Sequence, residues 1–158
     1  ASNMLHHVAY PVKFLNEIYR ILKPGGKLII QEAYCSITFQ IITMLMKHEG
    51  FDFTKNIWSE NEPMSNEKDA WAGNIAVPHL IFDDEEKFKN EFGTKFVIKH
   101  QKVYECLLFL NSGGVSSKTF YIPMNNFFLK ILDFFDKFII FLFPKIFGMG
   151  RQIVLEKI

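Results

Sequence analysis

The side chains able to do chemistry fall into two groups. His6 and His7 are adjacent near the start of the chain. An imidazole of ordinary basicity accepts a proton near neutrality, which is what an oxygen or nitrogen nucleophile asks of a general base. Glu32 and Tyr34 close an apolar run, where a carboxylate has to be solvated or paired. From there Glu32 can orient a substrate or act as base; the plainer reading is a pairing with the neighbouring helix. The second group, His48, Glu49, Trp58, Trp71 and His79, is spread through a long irregular stretch. Trp and His together make an aromatic wall with polar handles, although packing alone accounts for any one of them.

Two other chemistries are not expected. His6, His7, His48, His79 and His100 lack the i, i+4 spacing of a helical ligand pair, and no pair of cysteines supports them, so no metal site is read. Gly113-Gly114-Val115-Ser116-Ser117-Lys118-Thr119 lacks the Gly before Lys of a phosphate-binding loop, and the residues up to Pro123 do not open a helix. That run is read as a turn, or as a loop near a substrate.

The elements that must position these groups are signposted. Pro11 starts a helix with Phe14, Leu15, Ile18, Tyr19 and Leu22 at helical spacing, and Arg20 and Lys23 suit its last turn. Pro24-Gly25-Gly26 stops it, and the apolar run 27–34 predicts a strand buried on both faces. Helix, turn and strand are half of a βαβ unit, which predicts a mostly parallel sheet. Residues 37–47 predict a second helix. Residues 49–82 predict an irregular insertion or lid, interrupted by Gly50, Pro63, Gly73 and Pro78. Asp83-Asp84-Glu85-Glu86 opens a short helix ending at Gly93, 95–110 predict one long or bent strand, and Arg151 to Glu156 a last one.

At 158 residues, 49% hydrophobic, the chain fits one domain with a real core. A net charge of +1 with only Arg20 and Arg151 as arginines gives nucleic acid no basic surface to bind. Cys35 and Cys106 without a secretory leader predict reduced thiols in a cytoplasmic protein. Residues 127–143 are apolar around most of a helix but far short of the roughly 20 clean residues a spanning helix needs. They predict a helix packed over the sheet or, as the sharper alternative, a peripheral membrane contact.

Met4-Leu5-His6-His7, Pro11, Phe14-Leu15-Asn16-Glu17 and Arg20-Ile21-Leu22-Lys23-Pro24-Gly25-Gly26-Lys27-Leu28-Ile29-Ile30-Gln31-Glu32 together resemble the second half of class I S-adenosylmethionine-dependent methyltransferases, of the type 11/12 kind. The resemblance is strong over 2–34 and weaker over 95–158. It implies an α/β fold: a partial Rossmann-like sheet, the fourth to seventh strands of that domain, with flanking helices and the 49–82 insertion. It implies S-adenosyl-L-methionine as cofactor, with Ser2, Asn3, Leu5 and His6 along its methionine end. His7 and Glu32 are then the candidate catalytic residues, and Tyr34, His48 and Trp71 candidate acceptor contacts. The implied reaction is methyl transfer to a small molecule, a glycan or a lipid intermediate. The family's Gly-rich loop and its ribose-binding acidic residue have no counterpart here. Both are expected upstream of Ala1, in a missing N-terminal half that the fragment needs for cofactor binding. A non-catalytic interaction module derived from the same fold, or a membrane-surface binding protein, is the alternative.

Overall fold

Pro11 opens helix α1 (Pro11–Ile21) in the computed structural model, which describes residues 1–47, 49–69, 71–112 and 121–158. A proline at the first turn forfeits no hydrogen bond and presets φ. Val12 and Leu15 lie on the buried face of α1, and Arg20 pairs with Glu17 at 2.9 Å on the exposed one. Gly25, at φ +73°, turns the chain in the left-handed region into β1 (Lys27–Ala33). The strand is not buried on both faces. Ile30 and Glu32 point inward, whereas Ile29 is 52% exposed and Gln31 faces solvent.

The remaining elements follow the expected order, some of them with different bounds or type. Helix α2 (Ile37–Leu45) is capped by Ser36, whose hydroxyl accepts from the Phe39 N–H at 3.2 Å. The irregular stretch contains helix α3 (Val77–Phe82), because Pro78 stands in its first turn rather than breaking it. Asp84 caps α4 (Glu85–Phe92). The strand expected over 95–110 is β2 (Phe96–Tyr104) followed by a short helix α5 (Leu107–Asn111). Helix α6 (Asn126–Leu142), a turn of helix α7 (Pro144–Phe147) and β3 (Gly150–Lys157) complete the chain.

The sheet order is β1-β3-β2. Gly25 donates to the Lys157 carbonyl at 2.9 Å and Tyr34 to that of Met149 at 2.9 Å, so rising numbers on one strand meet falling numbers on the other. Ile158 to Lys95 and Met149 to Glu105 set the same antiparallel register against β2. The expectation of a mostly parallel sheet is therefore corrected. A reversed strand needs no crossover helix, so the helix–turn–strand pattern upstream carries no information about it. The parallel relation that pattern does imply exists at one place. Ser2 bridges Gln31 in parallel, with Asn3 donating to the Gln31 carbonyl at 2.8 Å and Gln31 to that of Ala1 at 2.9 Å.

The chain divides into two compact units. The first comprises Ala1–Ala33, Glu49–Lys102 and Gln152–Ile158, the second Tyr34–His48 and Val103–Arg151. In the first, Leu5, Leu15, Ile30, Phe96, Ile153 and Leu155 pack with Phe82, Phe88 and Phe92 in one cluster. Ile57, Met64, Val77 and Ile81 of the irregular stretch join that cluster rather than forming a core of their own. In the second unit, α6 packs against α5 and α7, and α2 against α7. On α6, Asp136 and Ile140 are buried, while Phe127, Phe134, Phe138 and Phe141 are exposed. Among the described residues no helix is long and apolar enough to cross a membrane.

Candidate functional site

The site forms in the first unit, where residues 1–3 and β1 end side by side. Beyond them the chain makes a 3-10 turn, Leu5–His7, which aims its first backbone amides at Glu32. Glu32 Oε1 accepts from Met4 N–H at 2.7 Å and Leu5 N–H at 2.6 Å. Glu32 Oε2 lies 2.5 Å from His6 Nδ1, a contact in which the imidazole donates and the carboxylate accepts. The Glu32 side chain is fully buried, with both oxygens committed. A buried carboxylate held by several N–H donors is a fixed charge that orients whatever it touches.

His6, thus oriented, carries its Nε2 to 3.2 Å from Glu49 Oε2. His7 Nε2 lies 3.7 Å from Glu49 Oε1, and the two imidazole rings are 4.2 Å apart. His7 Nδ1 is 3.4 Å from the Ala72 carbonyl. The side chains of His7 and Glu49 are 22% and 18% exposed, so solvent reaches one side of the group.

Glu49 is delivered from the irregular stretch by loop-to-loop pairing. Gly50 bridges Asn74 in parallel, and Ile75 donates to the Gly50 carbonyl at 3.1 Å. The Asn74 N–H in turn donates to the His6 carbonyl at 2.9 Å, and its side-chain amide ties to the Asp52 backbone through both atoms. Gly73 lies over the group: a Cβ there would stand 2.6 Å from Glu49 Oε2 and 3.0 Å from His6 Cδ2. Sequence reasoning named Glu49 only as a polar member of the insertion and Gly73 only as an interruption of it, and missed Asn74. No local spacing signals them, because they meet His6 through tertiary pairing.

The other expected site residues are placed differently from one another. Ser2 and Asn3 are exposed at the strand end, and Leu5 is fully buried, its side chain in the core and its N–H spent on Glu32. Trp71 is 84% exposed, next to Ala72. Trp58 and His79 line a different groove of about 420 Å³ with Lys55, Asp83 and Lys87. Tyr34 belongs to the second unit, where it is buried beneath the Arg151 guanidinium, 4.8 Å from its ring. His48 and the run 113–119 lie outside the described residues.

Ser2 bridges β1 in parallel, helix α1 lies between them in the chain, and ionisable groups gather at the end of β1, the end at which open α/β sheets bind their ligands. Residues 1–30 match a family model described as a methyltransferase domain, in line with the resemblance over 2–34. No curated protein and no solved structure matches the chain.

Proposed function

We propose that the chain is the C-terminal part of a class I S-adenosylmethionine-dependent methyltransferase, its strands standing for the fourth to seventh of that Rossmann-like sheet. Its acceptor is a small molecule, a glycan or a lipid intermediate, in the cytoplasm. The observation that carries this reading is the methyltransferase-domain match over residues 1–30, which ends two residues before the carboxylate that holds His6.

The cofactor, when bound, supplies a methyl group already activated on a sulfonium. The residues present fit one edge of its site. Ser2 and Asn3 are open at the strand end, and the Leu5–His7 turn continues that edge. His6 offers this edge packing rather than a hydrogen bond, since carboxylates face both its nitrogens. Transfer from an activated donor depends mainly on alignment. His7, the more exposed of the two imidazoles, takes the proton onto a ring nitrogen where the acceptor is a hydroxyl or an amine. Glu32, buried with both oxygens engaged, is a positioning residue. Trp71, exposed beside Ala72, is the acceptor-side aromatic of a lid formed by 49–82.

The product of the complete open reading frame tests this. With S-adenosylmethionine and a panel of hydroxyl, amine and lipid-linked acceptors, it should release the demethylated thioether, and His7→Ala should lower kcat more than KM for a hydroxyl acceptor. Turnover absent across the panel, with the cofactor also unbound, contradicts the reading. A second reading rests on the exposed phenylalanines of α6: a peripheral membrane or partner-binding surface in the second unit.

A further inference from the structure

We propose that His6, His7 and Glu49 form a binding site for one divalent cation of the zinc type. The three side chains each offer a ligand atom, and these atoms lie within 4.8 Å of one another. Around a tetrahedral ion with bonds of about 2.0–2.1 Å, ligand atoms stand about 3.4 Å apart. The observed separations are near that edge, 3.2 Å between His6 Nε2 and Glu49 Oε2 and 3.7 Å between His7 Nε2 and Glu49 Oε1, each imidazole facing a different oxygen of the carboxylate.

The hydrogen-bond pattern points the same way. Glu32 Oε2 accepts from His6 Nδ1, which turns the other ring nitrogen, Nε2, towards Glu49 Oε2. That oxygen is buried with no hydrogen-bond partner among the described residues. A carboxylate on the far nitrogen of an imidazole ligand is also the usual outer support of a metal-bound histidine. Here that carboxylate is locked by two backbone amides before any ion arrives. Gly73 leaves the space a side chain would fill.

Two imidazoles and one carboxylate favour zinc, iron, cobalt or nickel over magnesium and calcium, which prefer oxygen ligands. The partial exposure of His7 and Glu49 leaves a fourth position for an exchangeable oxygen ligand. The inference stands apart from the methyltransferase reading, since the ion alone is the probe. Where both hold, the bound cation occupies the His7 lone pair, and the base role of His7 belongs to the cation-free protein.

The test is a titration of the chelator-stripped 158-residue chain with Co²⁺, followed by its visible absorption, with Zn²⁺ as competitor. One equivalent should bind and give ligand-field bands without a thiolate charge-transfer band. His7→Ala and Glu49→Gln should each weaken binding at least tenfold, Gly73→Ala should weaken it by displacing the Glu49 carboxylate, and His100→Ala should leave it unchanged. Absence of saturable binding overturns the proposal, as does binding that survives both His7→Ala and Glu49→Gln. Should those variants fail to fold, the histidine ring NMR signals of the unsubstituted protein decide. Zn²⁺ must shift His6 and His7 and spare His100, and Zn²⁺ binding without those shifts overturns the proposal.

Discussion

Glu32 holds the strand end, the turn and the imidazole in one geometry, and its loss affects all three. Glu32→Ala leaves the Met4 and Leu5 amides and His6 Nδ1 without their acceptor in a buried place. Removing one partner of a buried charged network costs about 3–5 kcal/mol, so urea denaturation should show the midpoint falling by that equivalent with an unchanged slope. An unchanged midpoint would remove Glu32 from its positioning role. The thiols give a second residue-scale expectation. Burial raises the Cys35 thiol to about 12, opposed by the nearby Arg151 charge, and raises Cys106 to about 11 with help from Asp136. Folded values above the unfolded ones mean the neutral thiol is the form the fold favours. That contribution is complete below the unfolded value of about 8.5 and is lost as pH rises from there through 11–12. Stability measured from pH 8 upward should decline, and Cys106→Ser should flatten part of the slope. Glu32 was legible as a carboxylate at the end of an apolar strand. The grouping with Glu49 was not, because Glu49 reaches His6 through the Gly50–Asn74 bridge, a pairing between loops that no periodicity records.

At the scale of elements, what could be read locally was read. Pro11, the Pro24-Gly25-Gly26 turn and Asp84 are signals contained in a few neighbouring residues, and α1, β1 and α4 follow from them. Helix α5 is different. Its Leu-Leu-Phe-Leu run suits a strand as well as a helix, and the group that caps it lies far along the chain. The Asp136 carboxylate accepts from the N–H groups of Cys106, Leu107 and Leu108 at 3.0, 2.6 and 3.2 Å. Asp136 interrupts the apolar sequence of α6, yet it is 2% exposed. Asp136→Ala strands those amides and should cost about 2–3 kcal/mol. A melting temperature within experimental error of the parent would show that α5 does not depend on this cap. The direction of β3 escaped the sequence for a related reason. Alternation along a strand encodes which face is buried, and leaves open whether its neighbour runs with it or against it.

The whole chain is near neutral, with 18 basic and 17 acidic residues, so a membrane contact would have to rest on apolar side chains rather than on attraction to anionic lipid. The exposed phenylalanines of α6 are the surface on which such a contact depends. If they meet a bilayer, the chain should co-sediment with neutral phosphatidylcholine vesicles, and Phe138→Asp should abolish it. Retained binding by that variant would remove α6 from the account. The central claim concerns the other unit and is tested by binding alone. The product of the complete open reading frame should bind one equivalent of S-adenosylmethionine in a calorimetric titration, and the demethylated thioether should compete for the same place. A chain that binds neither compound at any accessible concentration, while folded by circular dichroism, would contradict the methyltransferase assignment.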